Sequence, residues 1–460
     1  MEIELIAPAN EDSTYVPALG MAVLAAHTPP SAHVHYTDDL LTPIDLERDL
    51  KPVDLVGITV TSKTARRGYD IAAAYRRRGV KVVLGGIHAT ALPEEAKQYA
   101  DAVVVGEGEG LWEQVIADFG ARRLQPFYRH QGWPSLAGLP FPRRDIFRSR
   151  KYIPFHSVQT TRGCPFPCEF CSVSTYNGGK FRFRPTGEVC AEIRALPRPM
   201  GLPKKLILFA DDNVMIHERY SRELFEAMIP LRVHWIGQAS LAGLHKVSNI
   251  ALMARSGCRA VFIGFESIDN ETVRGAGKKQ NKPGRYREII DQLHAHGIAV
   301  WGSFVFGFDE DDEGVFERTV EFCIESQLTM ALFAILTPYP GTMLYRRLLA
   351  EGRLTKDRWW LGQDHDRELP FYRPRRLTPE QLREGWIRAW QMFYSYSSIW
   401  QRYRFDPRMS WIALLGHFPL NLLMHRLAEH KIAGGERLFR HPHPQPDPKP
   451  QQPRWWGLSG

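Results

Sequence analysis

The chain has 460 residues, 44% of them hydrophobic and 24% charged, enough to bury more than one core. No apolar run approaches the roughly 18 residues a membrane-spanning helix needs, and Met1-Glu2-Ile3-Glu4 opens a strand pattern in place of a basic signal peptide, so a cytoplasmic protein without a transmembrane segment is expected. The net charge of +8 permits an anionic partner, but the arginines are spread along the chain and nucleic acid is not expected, while six cysteines with half of them in one short motif argue against a disulfide framework.

Residues 1–122 alternate short apolar runs with helical patterns. Strands are expected at 3–7, 53–60, 80–84 and 102–105, and helices at 19–26, 65–78, 93–99 and 111–119. That alternation predicts an α/β domain of flavodoxin or Rossmann type, a doubly wound parallel sheet whose ligand crevice lies at the strand C-termini. Residues 123–154, rich in Pro and Gly, read as a linker with Leu139-Pro140-Phe141-Pro142 extended over the surface.

Next come Cys164, Cys168 and Cys171, spaced C-x3-C-x2-C, with Pro165 and Pro167 bending the chain so that the sulfurs converge. A structural zinc site needs a fourth ligand, and the nearest candidate, His156, lies upstream on an expected strand. A [4Fe–4S] cluster on three cysteines leaves one iron open; a zinc knuckle or redox-sensing thiol group is the alternative. From residue 155 to 350 six strand–helix units follow, with strands at 155–161, 205–210, 234–240, 260–264, 299–306 and 330–336. Beyond them, residues 351–440 form an aromatic-rich helical region. Trp386, Trp390, Phe393 and Ser397 share a stripe that reads as core, or as a roof over the barrel that selects an apolar substrate. The stretch 409–427 is amphipathic enough to dock on the barrel or to contact a membrane surface peripherally, and 441–460 is a Pro-rich tail expected to be disordered. Cys190, Cys258 and Cys323 read as ordinary buried thiols.

The cysteine motif, with Phe170 just before its third member, resembles the radical S-adenosylmethionine (SAM) enzymes. That resemblance implies a [4Fe–4S] cluster on Cys164, Cys168 and Cys171. It also implies SAM chelated at the open iron and cleaved to a 5′-deoxyadenosyl radical that abstracts hydrogen from unactivated carbon. It implies a partial (β/α)6 barrel with chemistry at the strand C-termini. In the family, the segment after the second strand meets the SAM amino group. Here that segment holds Asp211 and Asp212 where Gly-Gly-Glu is usual, so which residue makes the contact stays open, and a helix N-cap is the competing use for one of them. Glu266 is expected at the ribose hydroxyls, with Gln238 and Ser240 closing the third strand, Gly302 beside the adenine edge and Pro338 in the turn under the pocket.

Residues 1–122 resemble the cobalamin-binding-like domain that precedes many radical SAM domains. The resemblance rests on Pro17-Ala18-Leu19-Gly20-Met21, Asp54-Leu55-Val56-Gly57-Ile58-Thr59, Gly85-Gly86-Ile87-His88-Ala89-Thr90 and Val105-Gly106-Glu107-Gly108-Glu109. It implies cobalamin received at Gly85-Gly86 and Gly106-Glu107-Gly108, with Thr59 and Thr61 offering hydroxyls to the corrin amides or tail. The Asp-x-His-x-x-Gly motif of the methionine-synthase type is absent. His88 is a candidate lower ligand, though a loop histidine is more often solvated. A flavodoxin-like domain kept for packing is the alternative. The expected activity is cobalamin-dependent C-methylation of a small-molecule or lipid-like substrate, fed by a flavodoxin or ferredoxin. Radical cyclisation or rearrangement is the second expectation, RNA modification and a non-enzymatic Fe–S carrier the lesser ones.

Overall fold

The computed structural model describes the whole chain except residues 11–14, 148, 150, 199–202, 363–369, 405–410 and 433–460. Strands β1 (Glu2–Ala7), β2 (His33–Asp38), β3 (Leu55–Thr59), β4 (Lys81–Gly85), β5 (Ala102–Val105) and β6 (Phe127–Arg129) pair in parallel in the order β2-β1-β3-β4-β5-β6. Helices Leu19–Ala26 and Leu111–Gly120 cover one face; Ala65–Arg77 and Pro93–Tyr99 cover the other. Burial on both faces is why the central strands read as unbroken apolar runs. The chain winds outward from β1 to β2, then returns to β3 and winds the other way, so a ligand crevice is set at the C-terminal ends near the β1/β3 switch. Edge strand β2, His-Val-His-Tyr-Thr-Asp, is partly exposed and carries no apolar run to read. Strand β6 falls inside the stretch expected as a linker and adds an edge to the sheet beside β5.

Further along are β7 (His156–Val158), β8 (Thr161–Arg162) and β9 (Arg182–Phe183), then β10 (Leu206–Phe209), β11 (His234–Ala239), β12 (Cys258–Glu266), β13 (Ala299–Phe306) and β14 (Met330–Ile335). Strands β8 and β9 form a two-rung antiparallel ribbon, and the other six make a parallel sheet in the order β14-β13-β12-β11-β10-β7. This is the expected partial barrel, open between β14 and β7. Side chains alternate across it. Trp235 stacks on Phe225 at 5.1 Å on the helix side, so Ile236 and Gln238 face the lumen.

The C-terminal region does more than roof the barrel. Helix Pro379–Phe393, started by a Thr378/Gln381 capping box, donates both the Trp386 and Trp390 indole N–H groups to the Phe333 carbonyl, at 2.8 and 3.0 Å. It thereby covers edge strand β14. The short helix Trp359–Leu361 instead packs on the N-terminal sheet's helices: Trp360 Nε1 donates to Glu95 at 2.9 Å, and Arg66 reaches the Leu361 carbonyl at 3.2 Å. Helix Trp411–Ile432 docks on the barrel through Asn421, which accepts from Arg402 at 3.0 Å and donates to the Thr329 carbonyl at 3.1 Å. Residues 441–460 lie outside the described residues, among which no helix is long and apolar enough to cross a membrane.

Candidate active site at the ends of both sheets

The cysteine segment hangs from the β8–β9 ribbon, whose last rung sets Arg162 against Arg182. Gly163 follows with φ 93°, and a Cβ there would run into the Lys180 carbonyl, so glycine lets the loop's two ends close. Its N–H donates to Asp212 Oδ2 at 2.8 Å. Asp211 accepts the Thr160 N–H at 2.6 Å and the hydroxyls of Thr160 and Thr161. Burial pushes its carboxyl up to about 6 against the pull of those donors. Asp211 therefore does not stand free on the rim as expected; it latches the end of β10 to the chain ahead of the cysteines, while Asp212 holds the loop's first turn.

The far side of the loop is clamped as well. The Glu169 N–H donates to the Ala276 carbonyl at 3.1 Å, and its carboxylate pairs with Arg347 at 2.8 Å. Gly277, φ 75°, sits so close that an added Cβ would lie 2.9 Å from the Pro167 carbonyl. Phe170 packs edge-on against Phe308 with centroids 5.9 Å apart. Cys164, Cys168 and Cys171 are thus presented as free thiols, each raised by burial, Cys168 to about 11, so deprotonation accompanies metal binding.

Lys278 is the residue that sequence reasoning missed. Its buried ammonium pairs with Glu266; burial lowers its pKa, but Glu266, Cys168 and Cys171 raise it by more, and it stays charged. Glu266 ends β12 at φ 65°, beyond a bulge fixed by Asn281 Nδ2 on the Gly264 and Phe265 carbonyls at 3.0 and 2.9 Å. The carboxylate expected to serve two ribose hydroxyls already has one oxygen on an ammonium. Gln238 is exposed in the lumen, and Ser240 Oγ and Asn281 Oδ1 are buried without a hydrogen-bond partner. Gly302 and Pro338 both sit in packed surroundings. Gly302 faces the helices, where a Cβ would come within 2.8 Å of Phe304 and 2.9 Å of Leu328. Pro338 is buried, and its carbonyl accepts Trp359 Nε1 at 3.0 Å.

A cleft of about 330 Å³ opens between the N-terminal sheet and the barrel. One wall comes from the loops after β3 and β4, with Thr61, Ser62, Thr90 and Ala91. The other is helix Ser172–Tyr176, which begins directly after Cys171, together with Tyr339 and Pro340. Thr90 donates to the Gly86 carbonyl at 2.9 Å and accepts the Gly106 N–H at 2.8 Å, and the Tyr176 hydroxyl donates to the Gly106 carbonyl at 2.9 Å. Gly86 has φ 95°, and a Cβ on it would lie 2.7 Å from Thr59 Oγ1, so Thr59 lies beneath that turn while Gly85 stays in the ladder opposite it. Gly106, at φ 92°, has nothing within 4 Å of an added Cβ, so there is free space over its Cα while its N–H and carbonyl are both engaged.

His88 overturns its expectation. It is 0% exposed on helix Ile87–Ala91, with Ser62 Oγ 3.1 Å from Nδ1 and Glu95 3.3 Å from Nε2, so both ring nitrogens are engaged. Glu107, expected to receive a ligand, is instead buried between the two arginines of the ribbon, 2.7 Å from Arg162 and also paired with Arg182; Glu109 takes Arg162 at 2.7 Å. Gly108 packs on Leu24, 2.6 Å from where its Cβ would be.

Two family models match the chain, the B12 binding domain over residues 9–116 and the Radical SAM superfamily over residues 158–323. The chain is 30% identical over 385 residues to the bacteriochlorophyllide d C-12(1)-methyltransferase of Chlorobaculum tepidum, covering 83% of this chain and 82% of that one. The chain belongs to the radical SAM superfamily. It is also 23% identical over 393 residues to the hopanoid C-2 methylase of Rhodopseudomonas palustris, covering 83% of this chain and 72% of that one. In fold it is similar to the radical SAM methyltransferase TsrM from Kitasatospora setae, solved with cobalamin and a [4Fe–4S] cluster, at a TM-score of 0.70 and 14% identity over 94% of this chain and 99% of that one.

As a radical SAM enzyme with a B12 binding domain, the chain takes a [4Fe–4S] cluster, SAM and cobalamin. Its residues fit them. Three desolvated thiols make the donor set for the cluster, and the unpartnered Ser240 Oγ and Asn281 Oδ1 at the barrel rim are unsatisfied groups of the kind a polar ligand completes. For a corrin, the free space over Gly106 Cα admits a bulky ring edge, and the hydroxyls of Thr61, Ser62, Ser172 and Thr175 suit amide side chains.

Proposed function

We propose that this radical SAM enzyme is a cobalamin-dependent methyltransferase acting on an unactivated carbon of an apolar small molecule. The observation that carries the reading is the shared wall: the helix that begins directly after Cys171 lines the same cleft as the B12-domain loops. When bound, the cluster with SAM supplies a radical able to take hydrogen from carbon, and cobalamin supplies the methyl group. Positioning is the work of the chain's own residues. Tyr176 ties the Gly106 loop to the cysteine segment, so the two cofactor seats keep one spacing. Lys278 places a permanent positive charge beside the thiols, and Glu266 orients it. Substrate polarity is supported by the half-buried Phe262, Val305 and Leu332, which point to the lumen by strand alternation, and by relatives named for a bacteriochlorophyllide and a hopanoid. A flavodoxin- or ferredoxin-type reductant and a reducing cytoplasm complete the reading, in keeping with six free cysteines.

Enzyme purified anaerobically with hydroxocobalamin should keep its corrin through gel filtration, form 5′-deoxyadenosine, and pass label from methyl-labelled SAM into an apolar acceptor. Formation of 5′-deoxyadenosine with neither corrin retention nor label transfer would sink methylation and favour radical ring closure.

A further inference from the structure

At the opposite end of the N-terminal sheet from the cleft, three side chains converge that neither cofactor uses. Strands β1 and β2 run parallel with Glu2 in register with His33, and His35, two residues on, projects from the same face of β2. Glu2 Oε2 lies 3.0 Å from His33 Nδ1 and 2.8 Å from His35 Nε2, and those two nitrogens lie 3.3 Å apart. Among the described residues, this is the set of His, Cys, Asp and Glu side chains whose ligand atoms close to within 4.8 Å.

Hydrogen bonding alone leaves the trio crowded: both imidazole N–H groups must donate to the one oxygen, Glu2 Oε2, with their nitrogens 3.3 Å apart. A cation relieves that crowding, because two nitrogen lone pairs and a carboxylate oxygen then converge on one centre. For a tetrahedral ion with bonds of about 2.0–2.1 Å, ligand atoms stand about 3.3 Å apart, close to the separations found here. The backbone is already set: Glu2 N–H donates to Asp54 Oδ2 at 2.8 Å, and His33 N–H donates to the Met1 carbonyl at 2.9 Å.

We infer that Glu2, His33 and His35 form a divalent transition-metal site of the zinc or nickel class, which pins edge strand β2 to β1 and leaves a fourth position to water. Two imidazoles and one carboxylate are donors of that class rather than of calcium or magnesium. The site is remote from the cysteines and independent of the reaction.

The test uses cluster-loaded full-length protein, so that the thiols are occupied, treated with chelator and titrated calorimetrically with Zn2+ while iron content is followed. The wild type should bind one Zn2+ without losing iron and unfold at higher temperature with it. His33→Ala and His35→Ala, both on the surface, should fold normally, lose the thermal shift, and bind at least the roughly tenfold more weakly that even an outer partner's loss costs. Equal Zn2+ binding by variants and wild type, or no binding to the cluster-loaded wild type, overturns the site.

Discussion

Lys278 is a buried cation whose counter-charges are Glu266 and, in the loaded enzyme, the cysteine sulfurs. Removing one partner of such a pair strands the other in a low-dielectric site, whereas removing both need not. Glu266→Ala should therefore cost about 3 kcal/mol in chemical denaturation of the cluster-free protein, and the double variant with Lys278→Met should recover most of that loss. Equal losses in the single and double variants would show that the two side chains are not coupled. The cysteine triplet was legible because three thiols in so short a span have few other uses. Lys278 was not, since a lysine after the helix Asn270–Gly275 breaks no pattern; its nearness to Cys168 exists only because Gly277 lets its loop approach Pro167. His88 was misread for a related reason: its five-residue helix is too short to show a period, and its burial depends on Glu95 and Trp360.

Between elements, the joint that matters is the loop after β5 against the β8–β9 ribbon. Glu107 is the shared counter-ion of Arg162 and Arg182, whose side chains are only 12% and 14% exposed. Glu107→Gln leaves Arg182 without its carboxylate and Arg162 with Glu109 alone, a change of about 3–5 kcal/mol for a buried network. The variant should retain less corrin on gel filtration and be cleaved faster by protease within residues 123–154, while iron per chain stays at the wild-type level. Unchanged corrin retention would remove Glu107 from the docking of the two units. The strands on either side were readable because parallel sheets bury both faces; β2 and β6 escaped because an edge strand needs no such run. The ion network itself left no trace in the sequence, since acids and arginines far apart in the chain carry no spacing.

Taken whole, the molecule is two parallel sheets whose C-terminal ends face a common cleft, clasped by a segment from beyond the barrel. The aromatic stripe was visible as a stripe, and its Trp386 and Trp390 bind β14 of the barrel; that Trp360, outside the stripe, would go to the N-terminal domain was announced by no periodicity. A ribosome makes that domain first. The surface formed by Tyr69, His88 and Glu95 is complete long before the tryptophan that seals it has been synthesised. Assembly order then becomes loading order. Corrin present during expression should be taken up more fully than corrin added to the finished protein, and Trp360→Ala should narrow that difference; equal uptake by both routes in the wild type would contradict it. What differs between the two routes is the helix Trp359–Leu361, fastened on the N-terminal domain in the finished chain and not yet made when that domain folds.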